Sequence, residues 1–216
     1  MTTMKANAAW DTASVAVRDH ADELRELTTH TELFGWAKEH DLNTKMLFPK
    51  FKTELRKQLH IDYDGLRDQA MVEREAALSA AAEDESVPTI ALWTAGDAEV
   101  DSFAICNGEG GDPWYGTFHE RDAVTDQDEA DLAAARKAVY LAEQARKFAE
   151  LDVVRLALVV SNHRVTAETL RKDAVRGRVV VDLEVVDGEN PALEVCRLPG
   201  YRTWREVSLT DLVGQE

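Results

Sequence analysis

The order of short elements after Pro88 constrains this chain more than any other feature. Residues 89–94 are an apolar run followed by Gly96 and Asp97, which predicts a buried strand ending in a turn. Residues 100–106 predict a second strand. The Asn- and Gly-rich segment 107–113 then predicts a hairpin turn into a third strand over 114–119. Links this short make the three strands antiparallel neighbours. Within 126–150, Leu132, Ala135, Val139, Ala142 and Ala145 recur at three- and four-residue intervals, the spacing of a helix with one buried face. Aspartates and Glu129 near its start, and Arg146 and Lys147 near its end, suit the helix dipole. The apolar run 153–160 predicts a strand covered on both faces. A shorter helix over 166–176 follows, with Thr166 as cap and Gly177 as terminator, and then a strand over 178–186. Strand-strand-strand-helix-strand-helix-strand implies an α+β fold, a mixed sheet with helices packed on it.

Upstream the character differs. Residues 13–82 are rich in Ala, Leu, Glu, Arg and Lys and show no strand-like alternation, so they read as helical. The acidic break at 83–86, just before Pro88, sets the expected boundary. A helical N-terminal module and connector would occupy 1–85, and a sheet domain with a C-terminal tail 86–216. In the module, Thr31 is expected to cap a helix over 32–40, and Pro49 suits a first helical turn. Phe51, Leu55 and Leu59 share one face, and Lys50, Lys52, Arg56 and Lys57 lie beside it with Glu54. Two readings compete for this basic cluster. It could contact phosphates from a helical hairpin or helix-turn-helix, or it is an ordinary solvated face balanced by Glu39, Asp62 and Asp64, and the second is the commoner case.

The net charge of −16 opposes long-range attraction to nucleic acid or an anionic membrane, so any nucleic-acid contact needs a local basic patch. No apolar run approaches the roughly 18 residues of a membrane helix. The first ten residues hold one lysine and no apolar block, which argues against a secretory signal and for a cytoplasmic protein. Cys106 and Cys196 lack metal-ligand spacing and read as buried thiols, and the six histidines show no zinc pattern. The glycines at 108, 110 and 111 lie between strands rather than before a helix, so they form no phosphate-cradling loop. Ser161 and His163 lack the turn that activates a nucleophile. In the tail, Arg197, Tyr201, Arg202, Trp204 and Arg205 lie close together. Core packing is the first reading of this group, a protein interface the second and nucleic acid the third.

Three short motifs sit at corresponding element ends: Thr94-Ala95-Gly96-Asp97, Thr125 through Asp131-Leu132-Ala133-Ala134, and Ser161-Asn162-His163. With the element order, they resemble the ribonuclease H-like superfamily over about residues 88–190. That resemblance implies metal-binding acids at 95, 131, 161 and near 187–190. The chain has Ala95, Asp131 and Ser161, then Asp187, Glu189 and Asn190. The family holds two magnesium ions about 4 Å apart between carboxylates for phosphodiester hydrolysis, and magnesium needs oxygen donors. Alanine supplies none. The resemblance therefore implies a degenerate site, with no confident catalytic residue, metal ligand or cofactor. The expected function is binding or assembly with a protein partner or a second copy, in nucleic-acid metabolism. One alternative is a magnesium-dependent nuclease with a shifted carboxylate site on Asp97 and Asp131, joined by Asp126 and Asp128. Another is a DNA-binding regulator using the basic helix. The binding candidates are Lys50, Lys52, Arg56, Lys57, Arg202, Trp204 and Arg205.

Overall fold

The computed structural model describes residues 2–213, with side chains from residue 8 onward. Contacts divide the chain into two units, Met1–Glu73 and Arg74–Glu216. No helix among the described residues is long and apolar enough to cross a membrane.

The first unit is helical: α1 (Thr2–Asp19), α2 (Ala21–Glu26), α3 (His30–Glu39), α4 (Phe48–Glu54), a π-turn over Leu55–Leu59 and the start of α5 (Tyr63–Ala82). Phe51 and Leu55 are buried with Leu33 and Trp36, and Trp36 stacks on Phe51 at 5.5 Å. The α3 cap is Thr29, not Thr31. Its hydroxyl accepts from the Glu32 amide at 3.2 Å, and the Glu32 carboxylate accepts from the Thr29 amide at 2.9 Å. A capping box needs an acid three residues on; Thr29 has Glu32 there, whereas Thr31 has Phe34.

The second unit carries β1 (Thr89–Asp97), β2 (Ser102–Cys106), β3 (Trp114–Thr117), α6 (Gln127–Phe148), β4 (Val154–Val160), α7 (Ala167–Gly177) and β5 (Val179–Val185). Next come α8 (Pro191–Cys196), a 3-10 turn over Trp204–Glu206 and α9 (Leu209–Val213). The five-stranded sheet has the order β3-β2-β1-β4-β5. β1, β2 and β3 pair antiparallel as a meander, and β4 and β5 add in parallel to β1. The fold is α+β with a mixed sheet, as the element order implies.

α6 covers one face of the sheet through Ala130, Ala134, Ala138, Leu141 and Ala142, against Ile90, Leu92, Ile105, Leu156 and Leu158. Short α8 covers part of the other face, where Ala192, Val195 and Cys196 pack on Ala95, Ala104 and Cys106. Three details differ from the sequence expectation. β1 runs three residues past Thr94, because it stays paired with β2 through Asp97 opposite Ser102. β4 is buried on one face and only half-buried on the other, since α8 contacts β1, β2 and β3 instead. Gly177 belongs to α7, and Arg178 adopts the left-handed conformation (φ 55°) that ends it. At Gly177 a side chain would press on Glu143, with Cβ atoms 3.3 Å apart, so glycine serves close helix packing there. The tail, as the first reading of it has it, packs on the core: Trp204 is half-buried against it, and no further strand is formed among the described residues. It makes a single bridge between Tyr115 and Arg202, then buries Val207 and Leu212 in the main core.

Candidate functional site

Three segments meet at the end of β1: the first turn of α6, the residues after β4, and the cap of α8. Asp126 caps α6, its carboxylate accepting from the Glu129 amide at 2.9 Å, and this fixes where the first turn begins. Gly96 lets that turn lie directly on β1; a Cβ there would fall 2.3 Å from the Ala130 carbonyl carbon. Asp131, one residue on, then accepts from the Gly96 amide at 3.0 Å, from Gln127 at 3.0 Å and from Asn162 at 2.9 Å.

The orientation of the amide side chains decides the chemistry. Gln127 Oε1 accepts from the Ala98 amide, Asn162 Oδ1 from the Arg164 amide and Asn190 Oδ1 from the Ala192 amide. Each carbonyl oxygen is thus committed to a backbone N–H, and each NH2 points inward. Asn190 caps α8 and donates to the Ser161 hydroxyl at 3.0 Å and to the Thr94 carbonyl at 3.1 Å. Asn162 also donates to Asp128 at 2.9 Å. The Cys196 thiol donates to the Ala95 carbonyl at 3.2 Å.

These contacts make a donor-rich junction in which uncharged N–H groups surround Asp131, with Asp128 sharing the Asn162 amide. Magnesium needs oxygen lone pairs, and the inward N–H groups present the opposite polarity. Ala95 offers no donor atom, and the Ser161 oxygen faces an N–H. Among the described residues, no group of three or more His, Cys, Asp and Glu could hold a metal ion. The side chains present do not fit a two-metal centre.

Compared with models of protein families and with curated proteins, the chain matches none.

Asp97 lies on the α8 face of β1, opposite the helix that supplies Asp131. Its carboxylate accepts from Arg197 at 3.1 Å and from the Glu99 and Val100 amides at 3.0 and 3.4 Å. Burial alone would raise its pKa, but the Arg197 hydrogen bond and the two amides outweigh it and hold the carboxyl below the ordinary range. A depressed folded-state pKa stabilises the fold above the ordinary carboxylate pKa, and that stability is lost as pH falls through the folded value. Asp97→Asn is therefore expected to cost about 1.5–3 kcal/mol at neutral pH. The gap to wild type should shrink below about pH 4 in urea unfolding. A gap independent of pH would show that the Asp97 charge is not what holds this turn.

Burial, followed by the nearby charges of Asp97 and Asp131, pushes the Cys196 thiol up to about 12, and burial pushes Cys106 up to about 11. Both cysteines are free, and neither has the depressed pKa of a reactive thiol. His163 pairs with Asp187 at 3.0 Å on the surface.

In the first unit, Lys52 is paired with Asp64 at 2.7 Å and Lys57 with Glu54 at 3.4 Å. Lys50 donates to the Met46 carbonyl at 2.8 Å, and Arg56 is exposed. The acid at 64 thus lies where the solvated-face reading puts it. In the tail, Arg202, Trp204 and Arg205 line a cavity of about 930 Å³ in the second unit. Trp114, Tyr140 and Arg121 share that cavity, and sequence reasoning did not single them out. They come from β3, α6 and the turn over Glu120–Asp122, three segments with no common motif. Asn190-Pro191 did carry a signal, since a capping Asn followed by Pro announces a helix start.

Proposed function

We propose that the sheet-bearing unit is a ribonuclease H-like domain without the family's metal chemistry, and that the protein acts as a binding or assembly component. Support for the fold comes from the antiparallel meander extended by two parallel strands, with α6 across the β1 end. Support for a non-catalytic role comes from one observation above all. Asp131 accepts only N–H donors, Ala95, Ser161 and Asn190 supply no charge beside it, and Asp187, from the fourth motif segment, pairs with His163 instead.

The shifted nuclease site draws no support, because Asp97 is committed to Arg197 and two amides on the opposite face. The DNA-binding alternative is weakened by the internal pairing of Lys52 and Lys57. A protein partner or a second copy remains the expected class of occupant.

Titration with manganese or magnesium to millimolar concentration should give no binding heat, and an RNA–DNA hybrid should stay intact with either metal. Metal-dependent cleavage that disappears in Asp131→Asn would overturn the reading.

A further inference from the structure

The cavity under the tail differs in composition from the rest of the chain. No Asp or Glu lines it, although the chain has 41 of them, and Arg121, Lys137, Arg202 and Arg205 all do. Three of the four tyrosines and two of the five tryptophans line it as well. Aromatic and cationic groups are thus concentrated in one cleft of an acidic protein.

The aromatic wall is continuous. Phe103 meets Trp114 at 5.3 Å, Trp114 meets Tyr140 at 6.2 Å, and Tyr140 meets Trp204 at 5.8 Å. Across from β3, the tail is held by reciprocal backbone hydrogen bonds between Tyr115 and Arg202, at 3.2 and 2.9 Å. Gly116 permits this approach, since a Cβ there would stand 3.2 Å from the Tyr201 Cβ. Tyr201 is left 76% exposed, a large aromatic side chain at the mouth of the cleft.

The cations divide into two kinds. Lys137 pairs with Asp122 and Arg202 with Asp112, so their charges are neutralised inside the protein. Arg121 and Arg205 have no carboxylate partner among the described residues, and Arg205 sits over the Trp204 ring at 5.1 Å. Two arginines with no carboxylate partner border a wall in which Tyr140 and Tyr201 are exposed and Trp114 and Trp204 half-buried. A guanidinium fork matches phosphate geometry, and aromatic faces stack on any nucleobase. A cavity of about 930 Å³ also lies within the usual size of a small-ligand site.

We propose that this cleft binds a nucleoside phosphate, the base against Tyr201 and the tryptophan–tyrosine wall and the phosphates on Arg121 and Arg205. The site shares no residue with the Asp131 junction and does not depend on the ribonuclease H-like reading. The same chemistry could come from a free nucleotide or from the end of a single strand.

Calorimetric titrations of the full chain with ATP, a thymidine dodecamer and inorganic tripolyphosphate test the proposal. ATP or the dodecamer is expected to bind with Kd about 100 μM or tighter, and tripolyphosphate about tenfold more weakly. Arg121→Ala with Arg205→Ala should weaken binding about tenfold or more. Tyr201→Ala, at an exposed position that leaves the core intact, should weaken the base-bearing ligands about tenfold and tripolyphosphate hardly at all. Dodecamer binding well above that of ATP would identify a strand as the source, and the reverse a free nucleotide. No heat from ATP or dodecamer at millimolar concentration, or variants that bind like wild type, would overturn the proposal.

Discussion

Gly96→Ala is expected to destabilise the sheet-bearing unit by about 3 kcal/mol or more, a large effect for one added methyl. The new Cβ would lie 2.3 Å from the Ala130 carbonyl carbon, 2.4 Å from its oxygen and 2.8 Å from its Cβ. Carbon atoms pack best at about 3.5–4.0 Å, so contact this close is strongly repulsive. Two of the three atoms are helix backbone and cannot rotate aside, so α6 itself would have to move. That movement would stretch the Gly96–Asp131 and Gln127–Gly96 hydrogen bonds, at 3.0 and 2.8 Å, and loosen an alanine-rich buried face. Urea unfolding of the variant should show a much lower midpoint with an unchanged slope. Gly188→Ala is the control: nothing stands within 4 Å of a Cβ there, and a change within about 0.5 kcal/mol is expected. A Gly96 variant as stable as that control would mean α6 does not lie on β1 as closely as described.

This close approach also shows where sequence reading works and where it stops. α6 was legible because its apolar spacing is long and regular and its acidic start is strong. The meander was legible because its links are short. The six residues of α8 carry too little periodicity to stand out, and only the Asn190-Pro191 pair marks them. At α3 a capping signal was present but was assigned to Thr31 instead of Thr29, and the acid three residues on discriminates between them. The junction at the end of β1 could be read only in part. Ala95 and Ser161 stand out as missing acids, but the donors around Asp131 come from Gly96, Gln127 and Asn162, in three separate elements. Which way each amide points follows from backbone N–H groups that no motif encodes. The aromatic cleft was half visible. Arg202, Trp204 and Arg205 cluster in sequence, whereas Trp114, Arg121 and Tyr140 join them only through the tail's bridge to β3.

Restoring acids at the two motif positions, Ala95→Asp with Ser161→Asp, should make the stability of the protein depend on metal. Ala95 is 2% exposed and packs in the cluster that holds Ala192 and Cys196, so a carboxylate there has no room in water and no cation beside it. Uncompensated buried charge costs about 3–5 kcal/mol, and the metal-free double variant should lose about that much. Position 95 faces α8, whereas Asp131 comes from α6 and accepts from the Gly96 amide, and Asn190 reaches position 161, so the double variant tests whether carboxylates from β1, α6 and the end of β4 can meet around the strand end. A divalent cation binding only the folded state adds RT ln(1 + [L]/Kd), about 2.7 kcal/mol at a hundred times Kd. Thermal unfolding should therefore shift upward with millimolar manganese in the double variant and stay fixed in wild type. Each single variant should be destabilised but rescued far less, since two carboxylates hold the ion poorly. Competition is built into the test, because Gln127 and Asn162 must turn their NH2 groups off Asp131 before a cation can take its lone pairs. Asn162→Asp on the same background removes one of those donors and should enlarge the manganese shift. A double variant whose unfolding manganese does not shift would mean positions 95, 131 and 161 do not converge on one point, and the ribonuclease H-like reading of this junction would fail with it.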